Sequence, residues 1–214
     1  MSRVVRILPD EPAVDRDFDY LLPDVLSDSP GCPPIRVGTL VRVDLRGRRI
    51  RGWITAVDVD PLPGVDLQEI KKVSSCGPPP AVVDLAAWAG SRWMGSRVHY
   101  LRTATHDRVV SSIPDLVHRP HAVSPDNKLA EEAFLRRGAV VRTPPNSDDF
   151  SLAVAAASYG RALILTPTLA RSQRLATTMR RAGVEVAVFP RDWGASAAGA
   201  VTIGARSAAW APVD

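Results

Sequence analysis

Lysine is the residue this chain uses least for its charge: 3 lysines stand against 24 arginines among 214 residues. A phosphate-binding P-loop needs Gly-Lys followed by Ser or Thr, so that the ammonium meets the β- and γ-phosphates and the hydroxyl meets magnesium. Lys71 follows Ile70, Lys72 follows Lys71 and Lys128 follows Asn127. No such loop exists, which excludes the standard P-loop ATPase mechanism. Cysteine is equally scarce. Cys32 and Cys76 cannot build a disulfide framework, and no Cys/His cluster has zinc spacing, so no metal site is assigned. No run approaches about 18 uninterrupted apolar residues, and MSRVVRILPD lacks the long apolar segment of a signal peptide. The expectation is a soluble, unexported, cytoplasmic protein. There is no internal repeat, and no Ser/His/Asp or Cys/His arrangement from which to name a catalytic residue. What remains is a globular composition, 45% apolar and 23% charged, with chain enough for one or two domains.

Residues 1 to about 75 read as small β-structure. Arg3–Leu8 and Phe18–Leu22 are short apolar runs ended by Pro9 and Pro23. In TLVRVDLRGRRIRGWITAVD (39–58), apolar residues alternate on both sides of Arg46-Gly47-Arg48, a hairpin signal, with Gly52 a bulge or close backbone contact. Leu67–Val73 reads as a further strand. Short strands of this kind are buried by a twisted sheet or small barrel. Gly77-Pro78-Pro79-Pro80 is a break, followed by helical spacing of Val82, Val83, Leu85, Ala86, Trp88, Ala89 and Trp93. Trp53, Trp88 and Trp93 are expected in the core. Residues 102–127 read as a connector, and a helix is expected from about Pro125 to Arg137, stopped by Gly138. Beyond Thr143-Pro144-Pro145-Asn146 the texture changes. ALILT (162–166) reads as a buried strand, Leu169–Ala182 as a helix with Leu175, Ala176 and Met179 inward, and Val184–Phe189 and Ala200–Ile203 as strands. Strand, helix, strand at this spacing predicts a parallel α/β sheet.

Charge is unevenly spread. Asp10–Asp28 holds seven acids against Arg16, and Arg36–Gly52 holds six arginines against Asp44. The hairpin arginines have two readings: a solvated turn paired with the acidic segment, or contacts to a phosphate backbone. Arg171, Arg174, Arg180 and Arg181 read as a solvated helix face. His99, His106, His118 and His121 read as surface or packing residues, since none has a ligand-spaced partner.

The stretches VRILPDEPAVDRDFDYLLP, VGTLVRVDLRGRRIRGWITAV and LQEIKKV resemble the N-terminal DNA-binding domain of the PriA-type replication restart family, primosomal protein N′. ALILTPTLARSQ resembles that family's helicase motif Ia, and VTIGARSAAWAP its later I-G-T-R-S-A-x-F-x-P motif. Heavy arginine and alanine usage resembles the actinobacterial branch, whose nucleotide motifs are degenerate. Where the family has its Gly-Lys-Thr loop, this chain has Pro144 to Gly160 without lysine. The Asp-Glu-x-His motif, the second helicase lobe and the cysteine-rich zinc region are missing, and the winged helix is shortened or absent between 102 and 143. The chain thus corresponds to about the N-terminal third of a full-length member, a fragment or a truncated product.

The resemblance implies an α+β protein: residues 1–101 a small twisted β-sheet or barrel that binds DNA 3′ ends, 102–149 a connector, and 150–214 a partial parallel α/β lobe of the RecA-like helicase type. It implies recognition of the 3′ end of a nascent strand at a stalled fork by Phe18, Asp19, Tyr20, Gly47, Arg48 and Lys71. Asp19 would accept a hydrogen bond from the 3′-OH and repel a 3′-phosphate, an aromatic ring would carry the terminal base or sugar, and Lys71 and Arg48 would neutralise phosphates. Thr166, Thr168, Arg206 and Ser207 stand where family helicases touch the DNA backbone. The family's ATP, Mg and Zn find no binding motif here, so no cofactor is expected. Implied partners are forked DNA, single-strand DNA-binding protein and other primosome proteins, with no membrane. Two rivals stay open: an ATP-dependent helicase with an unusual nucleotide site, and a protein-interaction module whose basic hairpin meets an acidic tail. Residues 1–100 are expected to fold alone and 150–214 to be marginal, because three parallel strands leave apolar surface bare.

Overall fold

A computed structural model describes residues 3–27, 33–61, 64–115, 128–135, 137–144, 147 and 149–213. The expectations for Cys32, His118, His121, Pro145 and Asn146 fall outside these. The chain divides into two compact units, residues 1–113 and 114–213.

Alternating apolar residues in the first unit form β1 (Arg3–Pro9), β2 (Phe18–Leu22), β3 (Leu40–Leu45), β4 (Arg48–Val57) and β5 (Lys72–Ser75), with a four-residue helix α1 (Asp24–Ser27) after β2. Pairing is antiparallel throughout, in the order β2-β1-β4-β3-β5. Residues 68–71 join the two edges. The Leu21 amide donates to Gln68 O (2.9 Å), the Ile70 amide to Leu21 O (3.0 Å), and the Lys71 amide to Arg42 O (2.9 Å). The sheet therefore closes into a small barrel, which leaves no free edge on this side. Its interior holds Val5, Ile7, Tyr20, Leu22, Val41, Val43, Ile54 and Ile70, the inward members of a period-two pattern. The strand expected over Leu67–Val73 is corrected accordingly: ladder geometry begins at Lys72. Residues 68–71 split their hydrogen bonds between β2 and β3 and so lie flat along neither.

The β3–β4 hairpin turns on two residues. Leu45 pairs Arg48, while Arg46 (φ 51°) and Gly47 (φ 76°) both occupy the left-handed region, as a two-residue turn matched to strand twist requires. Nothing lies within 4 Å of a Cβ placed on Gly47, so its role is conformational. Gly47→Ala is expected to lower stability by about 1 kcal/mol through backbone strain alone, read as a shifted urea midpoint with an unchanged m-value. Gly52 is a close backbone contact: a Cβ there would stand 2.7 Å from Ile7 Cγ2 and 2.9 Å from Leu8 O.

Trp53, Leu8 and Leu40 lie side by side on the barrel's outer surface, all buried. Two helices complete this unit, α2 (Pro80–Trp93) and α3 (Arg97–Ala104), and they pack on each other. Helix α3 was not expected from the sequence. It is a short helix capped by Ser96, whose hydroxyl accepts from the Val98 amide at 3.3 Å. The Trp53 indole donates to Thr105 Oγ1 at 2.9 Å, tying the barrel to the end of α3. Trp88 and Trp93 are not core, contrary to expectation; they are 54% and 58% exposed. The buried stripe of α2 is Val82, Val83, Ala86, Ala89 and Gly90. Small residues there admit the following segment so closely that a Cβ on Gly90 would meet Gly95 O at 2.9 Å. That close approach turns the bulky indoles outward, where Trp88 and Trp93 stack edge to face at 5.2 Å.

The second unit contains α4 (Lys128–Phe134), α5 (Phe150–Ser158), β6 (Leu163–Leu165), α6 (Leu169–Arg181), β7 (Val186–Val188), α7 (Trp193–Ala197) and β8 (Val201–Gly204). Its three strands are parallel in the order β6-β8-β7, as the spacing predicts. Leu175, Ala176 and Met179 of α6 face the core with Val186, Val188, Val201 and Ile203. Helices α5 and α7 were not expected. The alanines of α5 (Ala153, Ala155, Ala157) carry no side-chain periodicity strong enough to distinguish a helix from a linker. The strand at 162–166 is an edge rather than a buried strand: Leu163 is 37% and Leu165 52% exposed, because β6 has a neighbour on one side only. Among the described residues no helix is long and apolar enough to cross a membrane, and no group of three or more His, Cys, Asp and Glu could hold a metal ion.

Candidate nucleic-acid interface

Strand alternation sends Tyr20 inward and Asp19 outward. Tyr20 is 4% exposed, and its hydroxyl crosses the barrel to donate to Asp44 O at 3.2 Å. Burial first, and the Asp44 carboxylate second, push this phenol above its ordinary range. Tyr20 is thus a structural aromatic, and Phe18, half-buried at the strand's start, is the ring that reaches the surface. The Arg16 guanidinium lies over the Phe18 ring, 4.6 Å from its centroid.

Asp19 faces Arg6, its register partner on β1. Arg6 Nε donates to Asp19 Oδ1 at 2.8 Å and Nη2 to Oδ2 at 3.2 Å, a fork on both oxygens. The carboxylate's hydrogen bonds, then its charge, raise the Arg6 pKa above its ordinary value. The Asp19 side chain is only 11% exposed. Each carboxylate oxygen offers about two lone-pair positions, so Asp19 retains acceptor capacity beyond what Arg6 uses. Phe18, Asp19, Arg6, Arg16, Asp17, Val65 and Leu67 line a cavity of about 460 Å³. An acceptor, two guanidiniums and apolar walls in one concavity suit the end of a chain bearing a hydroxyl, a flat ring and phosphates.

Gly47, Arg48 and Lys71 do not line that cavity. Gly47 and Arg48 stand at the hairpin turn, exposed. Lys71 Nζ lies 3.8 Å from Asp44 Oδ2 near the same turn. Of the cavity residues, the sequence pointed to Phe18 and Asp19 but not to Arg6, Arg16, Asp17, Val65 or Leu67. The signal for Arg6 was present: it is the outward residue between inward Val5 and Ile7, opposite Asp19 once the hairpin register is known.

The acidic segment is neutralised mainly by α3 and β1. Asp10 takes Arg102 Nε at 2.6 Å and Arg51 Nη2 at 2.8 Å, Arg97 bridges Asp15 and Asp17 at 3.1 Å each, and Arg6 takes Asp19. Among the described residues, Arg51 is the one hairpin arginine engaged by that segment; Arg49 lies 3.6 Å from Asp44. His106 packs between Cys76 O (3.0 Å) and Ser75 Oγ (3.2 Å), with burial lowering its pKa, and His99 is exposed on α3.

In the second unit, Thr166 and Thr168 follow β6 while Arg206 and Ser207 follow its neighbour β8, so all four gather at the carboxyl ends of two parallel strands. Thr166 is buried, its hydroxyl bonded to Thr168 O (2.9 Å) and Ser172 Oγ (2.6 Å). Thr168 caps α6, accepting from the Arg171 amide at 3.2 Å. Arg206 and Ser207 are exposed.

Comparison with curated proteins gives no match. Comparison with protein families matches residues 5–105, just under half of the chain, to the model described as the 3′DNA-binding domain of PriA. The matched span runs from within β1 through α3 and contains every residue that lines the cavity. Residues 5–105 of this chain therefore carry the sequence pattern of the PriA 3′DNA-binding domain.

Proposed function

We propose that the first unit docks the free 3′ end of a nascent strand at a fork and serves replication restart and primosome assembly. The observation that carries this reading is the cavity that holds Phe18, Asp19, Arg6 and Arg16 inside the matched domain. Asp19 accepts the terminal hydroxyl in a short charge-assisted bond while Arg6 fixes the carboxylate from the other side. Phe18 supplies an apolar platform that does not read base identity. Arg16 neutralises the adjacent phosphate from its position over the Phe18 ring. Binding is structure-specific and sequence-independent.

The second unit is read as a helicase-like lobe without a working nucleotide site. The family's nucleotide does not fit the residues present: α5 opens at Asp149, a carboxylate ion-paired with Arg171, and the preceding segment carries no lysine. Thr168, Arg206 and Ser207 retain polar groups at the strand ends for a DNA backbone; Thr166 positions the loop by its internal bonds. Protein partners at the fork, single-strand DNA-binding protein among them, and a cytoplasmic location belong to the same proposal.

The test is fluorescence-anisotropy binding of the full chain to two forked DNAs that differ only in ending with a 3′-OH or a 3′-phosphate. The expected result is roughly tenfold or greater preference for the hydroxyl, the worth of one charge-assisted hydrogen bond. Equal affinity for the two ends would remove the end-recognition reading.

A further inference from the structure

Strand register places basic residues directly opposite one another on the outer face of the barrel. Arg42 of β3 pairs Lys72 of β5 on one side and Arg51 of β4 on the other. Arg51 is neutralised by Asp10, but Arg42 and Lys72 are exposed and have no acidic partner within ion-pair distance among the described residues. Like charges directly opposite across strands destabilise a sheet. Of the acids in the first 28 residues, Asp15 and Asp17 pair with Arg97 and Asp10 with Arg102 of α3, Asp10 also with Arg51 of β4, and Asp19 with Arg6 of β1. The next outward row along β3 holds Asp44 between Arg49 and Lys71, and the turn beyond adds Arg46 and Arg48, both exposed. One carboxylate thus faces a cluster of six cations that extends from β5 to the hairpin tip. Neighbouring strands lie about 4.8 Å apart, so the register roots Arg42 and Lys72 side by side, an arrangement that a polyanion such as a phosphate backbone would favour.

We infer that the Arg42–Lys72 row and the Arg46-Gly47-Arg48 turn form a second DNA contact, which grips the phosphate backbone of a duplex arm separately from the cavity that takes the 3′ end. The inference rests on the DNA-binding reading of this unit but not on end recognition. It divides the labour of binding: the cavity discriminates the terminus, and the strand row supplies salt-sensitive affinity. The hairpin tip fits this role because Arg46 and Arg48, on either side of Gly47 in the tight turn, are both exposed. It also gives Lys71 and Arg48 a phosphate-contacting role outside the end pocket.

The experiment uses the full chain with Arg42→Gln and Lys72→Gln, singly and together, and three probes: the 3′-OH fork, the 3′-phosphate fork and an acidic peptide. In the double variant, affinity for both forks is expected to fall about tenfold or more at fixed salt. The slope of log K against log salt should become shallower by about two, and the ratio between the two forks should be unchanged. Thermal stability of the variants is expected to equal or exceed that of the parent, because a like-charge pair is removed; a merely structural role would lower it. Unchanged DNA affinity and slope would overturn the inference, as would loss of the acidic peptide with DNA binding intact. If the parent does not distinguish the two forks yet the slope still falls in the double variant, end recognition fails and the backbone contact stands.

Discussion

Replacing Asp19 with alanine is expected to reverse the end preference of the domain rather than abolish binding. Asp19 holds both nitrogens of the Arg6 fork, at 2.8 and 3.2 Å, and together they line the cavity with Arg16. Without the carboxylate, a 3′-OH loses its acceptor, which corresponds to a fall of roughly ten- to a hundredfold in affinity. Asp17, the other acid of the cavity, is occupied by Arg97 and by the Thr55 hydroxyl. Arg6 is then a free fork beside Arg16. A 3′-phosphate, with a charge near −2 and geometry matched to a guanidinium, becomes the better ligand. Competition anisotropy with the two forked DNAs measures the ratio directly, and circular dichroism confirms that the barrel has survived. Asp19→Asn is the refining variant, since it keeps one acceptor oxygen but cannot bind Arg6 through two. Equal weakening of both ends in Asp19→Ala would reduce Asp19 to a support for Arg6.

Trp53→Ala is expected to cost about 3–5 kcal/mol and to leave the first unit largely unfolded near physiological temperature. Trp53 is fully buried among strand neighbours Leu8 and Leu40, its indole N–H bonded to Thr105 Oγ1 at 2.9 Å. Thr105 passes its own hydroxyl hydrogen to Leu101 O at 2.6 Å, so one side chain links β4, through the cap of α3, to the last turn of that helix. Truncation opens a large cavity and removes that link. For a unit of this size, 1 kcal/mol moves the midpoint by about 4–8 °C, so a melting temperature lowered by some 15 °C or more is the expected reading. Trp53→Phe removes the hydrogen bond and little volume, and should cost about 1–2 kcal/mol. A melt within a few degrees of the parent for Trp53→Ala would show that α3 is dispensable to the barrel.

The sequence by itself determined the local patterns. Short apolar runs ended by proline placed β1 and β2, period-two alternation around Arg46-Gly47-Arg48 placed the β3–β4 hairpin, and the apolar strand–helix–strand texture after residue 160 placed a parallel sheet with the inward face of α6. Those features depend on residues a few positions apart, so a single chain displays them. Phe18, Asp19 and Tyr20 were legible as an alternating strand, while the end-binding role expected for them came from the family resemblance alone.

Tertiary structure decided what depends on partners far along the chain. Asp19 belongs with Arg6 because β1 and β2 pair in one register, and Lys71 lies beside Asp44 because residues 68–71 cross from β2 to β3 to close the barrel. The acidic segment met α3, a helix whose eight residues gave too little periodicity to announce it. Trp88 and Trp93 face outward because Ala86, Ala89 and Gly90 bring the next segment too close for an indole between them. Arg42 and Lys72, 30 positions apart in the chain, became opposed charges only through the β3–β5 ladder. Periodicity fixes which way a side chain points; register and close packing fix what it meets.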